Sequence, residues 1–501
     1  MLHEAGTRCD SPVPRPMWKF AAVAIGLAAL NLQPVNQSSA AMFLAAAVAL
    51  LAVGNPFTWV FYIAASQVVA DPANCPLTLA QIGILAWVCT LPFNASLSRL
   101  RDARPFISYV APLVIWYYAA TLTMRQEFQT PLILAVLVGV ITCTYIRRPG
   151  INSHVLLLCL VLGSTYAALG YWGGRLGIPI VAPSYEMASG TTTVFRVGSG
   201  RGDSNVSALN IPVLILGTFA LAAFSKFWLT RKNHLPNIIA AAAFAVGAPA
   251  LAATLSRGGL YALPLGFLGL LVMVLATARS KGWSMQSLLV PAAVVLTATL
   301  SFTFLAGGIS LDNVWHLIES RNSENERISG DSGLLSGRAG PWRTHIDIML
   351  AYPIAGIPKG ATWDFGEYGV TTVGVEGIYG AAHNSFLSFG SDAGVPGFVL
   401  FLIVFFHAPY RLVRRRGLGF AGPFLGVLLA VLLGFMSLSI GNWKTYWVLL
   451  ALIINTGETG LGEPASRNRN SLRRLGLNAI DRPPRPLSYA QGHPLYARTR
   501  Q

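Results

Sequence analysis

Residues 237–278 read NIIAAAAFAVGAPALAATLSRGGLYALPLGFLGLLVMVLATA, two apolar runs joined across one charged residue, Arg257. Each run suffices to cross the hydrocarbon core of a bilayer as a helix of about 20 residues. No water reaches the backbone there, so each N–H and C=O must be bonded within the segment, which selects helices. The connection, Leu255-Ser256-Arg257-Gly258-Gly259, is too short to leave the membrane surface. Arg257 is therefore held at the depth of lipid phosphates.

The same signal recurs along the chain, with apolar runs near 18–35, 38–53, 56–70, 77–93, 105–124, 131–146, 154–172, 210–229, 237–255, 258–278, 287–308, 394–410, 420–438 and 443–457. Those at 38–53, 56–70 and 443–457 are short for a crossing. The first run follows Arg8, Arg15 and Lys19 and reads as an uncleaved signal-anchor, because so many runs follow it. Of the 501 residues 53% are hydrophobic and 11% charged, against roughly 25% charged in soluble domains. Such a chain cannot cover a water-facing surface of this size, which excludes a soluble enzyme. Five scattered cysteines, Cys9, Cys75, Cys89, Cys143 and Cys159, have no zinc or disulfide-framework spacing. The expected fold is all-α, a polytopic membrane protein of about 12–14 transmembrane helices.

The formal charge of +16 acquires meaning once it is divided by side. With the amino terminus inside and fourteen spans, 25 basic residues fall inside and 11 outside, while acidic residues number 6 inside and 14 outside. The inside is then +19 and the outside −3, as the positive-inside rule requires. Both termini are expected in the cytoplasm of a bacterial inner membrane. The segments that follow are 1–308, transmembrane helices with an outer loop at 173–209, and 309–393, a large periplasmic segment. Residues 394–457 are C-terminal transmembrane helices, and 458–501 form a basic tail whose composition reads as disordered.

No Lys, Arg, Asp or Glu falls mid-span in this parse, which argues against an ion-coupled transporter. Attention moves to the outer-face cations. Arg257 reads either as a helix-end cation snorkelling to lipid phosphate or as a functional group. Arg338 lies in Ser336-Gly337-Arg338-Ala339-Gly340-Pro341-Trp342, ahead of an expected amphipathic helix from Pro341 to about Tyr352 with Trp342, Ile346, Met349 and Leu350 on its apolar stripe. Pro suits a first helical turn, whose open N–H groups favour anions, and a guanidinium fork there matches two phosphate oxygens. Its plainer role is an ion pair with one of the nine acidic residues between Asp312 and Glu376. Arg196 and Arg201 flank Gly198 and Gly200 in the outer loop, where a flexible segment is as consistent with composition as a ligand loop. His383, in Ala382-His383-Asn384-Ser385, stands where the outer segment re-enters the membrane and could act as a general base near neutral pH. An interfacial histidine bonded to a carbonyl is the ordinary alternative. His345, seven residues after Arg338, is the rival base; Asn384 and Trp342 are secondary candidates.

Taken together, residues 190–410 resemble the O-antigen ligase and O-antigen polymerase superfamily of bacterial envelope glycosyltransferases. Three stretches carry the likeness: Arg196 through Asn205 and Ala208; Ser256-Arg257-Gly258; and Gly337-Arg338, Trp342, Tyr352-Pro353, Gly356, His383-Asn384, Leu387, Gly394, Gly397 and Phe401. The resemblance implies glycosyl transfer from an undecaprenyl-pyrophosphate-linked glycan to an acceptor hydroxyl at the outer face of the inner membrane. The acceptor would be a glycan, a lipid A-core sugar or a protein. It also implies that outer-face arginines, here Arg257 and Arg338 assisted by Arg196 or Arg201, hold the pyrophosphate, and that a histidine, here His383, acts on the acceptor. Asp392, where many relatives have Glu, and the Gly258-Gly259 pair, where a larger residue is common, depart from the pattern. No metal or cofactor is expected, since no Asp-rich or His-rich ligand cluster appears in the sequence; no nucleic acid is expected either, and membrane lipids are. The competing expectation is a lipid-linked oligosaccharide flippase or polysaccharide exporter without chemistry, which should carry cations through the bilayer rather than at one surface.

Overall fold

Thirteen of the fourteen apolar runs are helical; the run near 287–308 lies outside the described residues. The computed structural model describes residues 17–32, 38–69, 71, 75–91, 98–123, 130–146, 151–176, 185–189, 192–196, 204–227, 229, 234–254, 256–281, 338–357, 382–438 and 443–458. They belong to one compact unit, Met1–Thr459; the second, Gly460–Gln501, lies outside them.

The helices are α1 (Met17–Leu32), α2 (Ser38–Val53), α3 (Pro56–Ala65), α4 (Leu79–Thr90), α5 (Arg104–Thr123), α6 (Thr130–Ile146), α7 (Ser153–Gly163), α8 (Leu169–Arg175), α9 (Ser204–Ala223), α10 (Leu235–Ala253), α11 (Arg257–Lys281), α12 (Ala339–Ala351), α13 (Ser385–Arg416), α14 (Leu418–Phe435) and α15 (Lys444–Glu458). Seven helical stretches are long and apolar enough to cross a membrane, and five shorter apolar helices accompany them among the described residues. The protein is an all-α polytopic membrane protein. The loop between α8 and α9 contributes one antiparallel hairpin, β1 (Tyr185–Ser189) with β2 (Thr192–Arg196), pairing Tyr185 with Arg196 and Ser189 with Thr192. Threonine and valine favour extended backbone there.

Two kinds of helix surface place the bilayer. Along α11, Leu265, Leu268, Val272 and Leu275 are exposed, and along α13 Val395, Val399, Ile403 and Phe406 are exposed. Both rows follow helical spacing, and exposed apolar stripes of this length are what lipid covers. By contrast α15 is buried on every side from Tyr446 to Ile453, packed among α3, α5, α6, α7, α13 and α14. A short helix walled in by other helices has no need to span the bilayer alone. The short run at 443–457 is thus helical and central.

Several elements differ from their expected limits. The run at 56–70 is α-helical only to Ala65, because Ser66 closes the helix and its Oγ donates to the Ile63 carbonyl at 2.8 Å. The run at 154–172 breaks into α7 and α8 around a 3₁₀ turn, Ser164–Ala168. The segment expected to run from 309 to 393 outside the membrane ends sooner. α13 begins at Ser385, not near 394, and is kinked at Ala393 and Gly394, where φ is −136° and +69°. Asp392, expected in the outer segment, therefore lies in the first turns of the 32-residue helix α13 and is buried. It is accommodated at the kink, with its Oδ2 3.5 Å from the Tyr117 hydroxyl of α5, while Trp116 Nε1 donates to the Ala393 carbonyl at 2.9 Å.

Candidate functional site

α12 carries the first part of the site. It starts at Ala339, with Arg338 as its N-cap residue, half-buried and in a non-helical conformation. The Arg338 side chain makes no cap hydrogen bond to the helix start, and the positive end of the α12 dipole adds to the charge of its guanidinium there. The buried side of α12 is Pro341, Thr344, His345 and Ile348, whereas Ile346 and Leu350 are exposed. The expected apolar stripe is thus corrected. The face turned inward follows His345, whose Nδ1 lies 2.6 Å from Ser391 Oγ on α13.

That contact belongs to a lock between α12 and the α13 kink. Beyond α12 the chain turns back so that Ile357 N–H donates to the Ser391 carbonyl at 2.6 Å and Val395 N–H donates to the Pro353 carbonyl at 2.8 Å. Gly356 and Gly394 both have positive φ, +63° and +69°, a region costly to residues bearing a Cβ. There is also no room for one. A Cβ on Gly394 would lie 2.4 Å from the Ile354 carbonyl oxygen, and one on Gly356 would lie 2.2 Å from that of Ser391. The kink frees Val395 N–H from the helical ladder, and Pro353 satisfies it.

His383 stands at the start of α13. It is half-buried and is the one non-glycine residue with positive φ among those described, at +47°. Asn384 caps the helix, its Oδ1 accepting from Phe386 N–H at 3.0 Å and Leu387 N–H at 3.2 Å. Ser385 Oγ then donates to the Leu438 carbonyl, just past α14, at 2.7 Å. His383 is thereby tied to the end of α14 through its two following residues.

The third part comes from α11. Arg257 is its first residue, and Gly258 lies where three elements meet. A Cβ there would stand 2.7 Å from Ser437 Cβ, 2.8 Å from Ser437 Oγ and 3.5 Å from Arg338 Nη2. Gly259 faces the other way, against Ala208 in the first turns of α9. The glycine pair is what lets α11 start between α9 and the end of α14, so its departure from the expected pattern has a steric reason.

The tertiary structure thus collects Arg338, the Arg257–Gly258 backbone and Ser437 at one end of the bundle, and ties His383 to that end through Ser385 and Leu438. At the opposite end Arg415 Nη1 donates to the Gly457 carbonyl at 3.0 Å, and His154 Nε2 lies 3.1 Å from the Phe420 carbonyl. Of the remaining candidates, His345 is 2% exposed and engaged with Ser391. If Ser391 Oγ donates its one proton to the Ser388 carbonyl, 3.1 Å away, the His345 proton is on Nδ1. Trp342 lies one turn into α12 beside Arg338; its Nε1 is buried without a hydrogen-bond partner. Arg196 ends strand β2, and Arg201 lies outside the described residues. Ser385, Ser391, Ser437 and Leu438 carried no signal in the sequence, because a serine near a helix end is ordinary until its partner is known.

Residues 240–402 match the family model for the O-antigen ligase. The match covers about a third of the chain, takes in Arg257, Arg338, His345, His383 and the α13 kink, and bears out the likeness to the O-antigen ligase and polymerase superfamily. It ends before α14, so Ser437 and Leu438 lie beyond it. No curated protein matches the chain.

Proposed function

We propose that this protein moves a glycan from an undecaprenyl-pyrophosphate carrier to an acceptor hydroxyl at the periplasmic face of the inner membrane, with both termini in the cytoplasm. The observation that carries this reading is the placement of the Arg338 guanidinium beside Gly258, the residue that follows Arg257 in the chain, at the end of the bundle to which His383 is tied. The family match at residues 240–402 supports transfer of the O-antigen ligase type.

In the proposed step the acceptor oxygen attacks the anomeric carbon as the bond from that carbon to the pyrophosphate oxygen breaks. Attack opposite the leaving group inverts the anomeric configuration. The acceptor proton passes to His383, and undecaprenyl pyrophosphate departs carrying the electron pair of the broken bond. Its growing charge is met by Arg338 and Arg257, with Arg196 or Arg201 assisting, and fixed cations in a low-dielectric site stabilise such charge strongly. Removing one such group commonly costs roughly 3 to 4 kcal/mol of barrier, and a positioned base contributes about 10²- to 10⁴-fold. The arginines supply the positive charge, so the reaction runs without a divalent metal. His345, buried against Ser391, holds α12 on α13 rather than serving as the base.

The test replaces His383 with alanine in the native host and follows the lipid-linked pool. Transfer falls by about 10²-fold or more and lipid-linked glycan accumulates at the outer face, while the purified parent enzyme keeps its activity in EDTA. Accumulation at the inner face would instead support the flippase reading, and an unchanged envelope would remove both.

A further inference from the structure

The Arg338 corner has a wall contributed from outside the matched domain. Ser437 follows α14 and is buried, yet its Cβ and Oγ crowd the same point beside Gly258 that Arg338 Nη2 approaches to 3.5 Å. Its hydroxyl donates to the Gly434 carbonyl at 3.0 Å, an ordinary helix-end bond that one rotation about the Cα–Cβ bond can exchange for another acceptor. The next residue, Leu438, accepts from Ser385 Oγ at 2.7 Å, and Ser385 follows His383 and Asn384. The Ser437–Leu438 step is therefore in contact with both halves of the site.

From this placement we infer that Ser437 is a further anion ligand of the donor site, its hydroxyl joining Arg338 beside Gly258 to hold a phosphate oxygen of the lipid pyrophosphate, while Leu438 keeps that corner in register with His383. The inference rests on the reading of the Arg338 corner as the pyrophosphate site. A serine hydroxyl complements a guanidinium there, since both donate to an oxyanion and the hydroxyl adds no charge to a crowded, buried place. Gly258 fits the same role: a Cβ on it would stand 2.7 Å from Ser437 Cβ and 2.8 Å from Ser437 Oγ and force Ser437 to shift.

Binding of undecaprenyl pyrophosphate to the full-length protein in detergent micelles tests this directly. Ser437→Ala deletes the hydroxyl and keeps the Cβ that packs against Gly258, so the fold is retained. It should weaken binding by roughly tenfold or more, the usual effect of losing a hydrogen bond to a charged group. Ser437→Thr, which keeps the hydroxyl, should bind more tightly than Ser437→Ala. Gly258→Ala should weaken binding by pushing Ser437 aside; adding Ser437→Gly relieves the overlap and restores thermal stability but not affinity. Parent-level affinity in Ser437→Ala alongside weakened binding in Arg338→Ala overturns the role of Ser437 alone. Parent-level affinity in both overturns the pyrophosphate site itself.

Discussion

His383, the proposed base, has an uncommon backbone. Its φ of +47° lies in the left-handed region, which costs a residue with a Cβ about 1 to 2 kcal/mol. The surrounding structure holds it there through the Asn384 cap and the Ser385–Leu438 bond. Backbone cost and chemical role can therefore be separated by substitution. His383→Gly removes the Cβ and should melt above His383→Ala by a margin on the order of 1 kcal/mol, whereas both lose transfer activity. Equal melting of the two variants would mean that the conformation carries no strain. The role of Asn384 is likewise positional: as N-cap it orients the turn on which His383 stands, and its chemistry is spent on Phe386 and Leu387 N–H groups.

Among elements, α12 and α13 are set by the contacts between Pro353–Ile357 and the kink at Ala393–Gly394. Gly394→Ala would meet the Ile354 and Pro353 carbonyl oxygens at 2.4 and 2.6 Å and would hold an unfavourable φ. We expect a loss of at least about 1 to 2 kcal/mol from the backbone alone, together with a fall in transfer as Arg338 moves relative to His383; thermal melting and a transfer assay on the purified variant measure both. The glycines of this lock were visible in the sequence as parts of a pattern, but their reason was not. Gly394 lies where an apolar run was expected to begin, and nothing in one dimension shows that a helix already exists from Ser385. Hydropathy misses the first turns of α13 because Ser385, Ser388, Ser391 and Asp392 are polar; Ser385 meets the Leu438 carbonyl, Ser391 meets His345 and Asp392 meets Tyr117, which only packing reveals. The inward face of α12 was misread for a similar reason. Its burial follows the His345–Ser391 hydrogen bond, and a periodicity of apolar residues cannot register a polar anchor.

At the scale of the whole molecule the charge asymmetry and the tertiary contacts agree on two ends. Arg338 and the start of α11 lie at one, and Arg415 with the end of α15 at the other. The expected sidedness is testable in membranes of a cysteine-free background: Ala351→Cys should react with an impermeant maleimide added outside, and Arg414→Cys only after the membrane is opened. The reverse pattern would invert the proposed orientation. Composition and hydropathy by themselves determined that this is an all-α membrane protein, where most of its helices run and which arginines and histidines merit attention, because the bilayer forces long apolar runs into helices whatever their neighbours. Only the tertiary structure decided which of those groups meet: Arg338 with Gly258 and Ser437, and Ser385 with Leu438 beneath His383. Such meetings depend on helix packing between residues distant along the chain, and a close approach at a glycine or a hydrogen bond at a helix end leaves no period in the sequence.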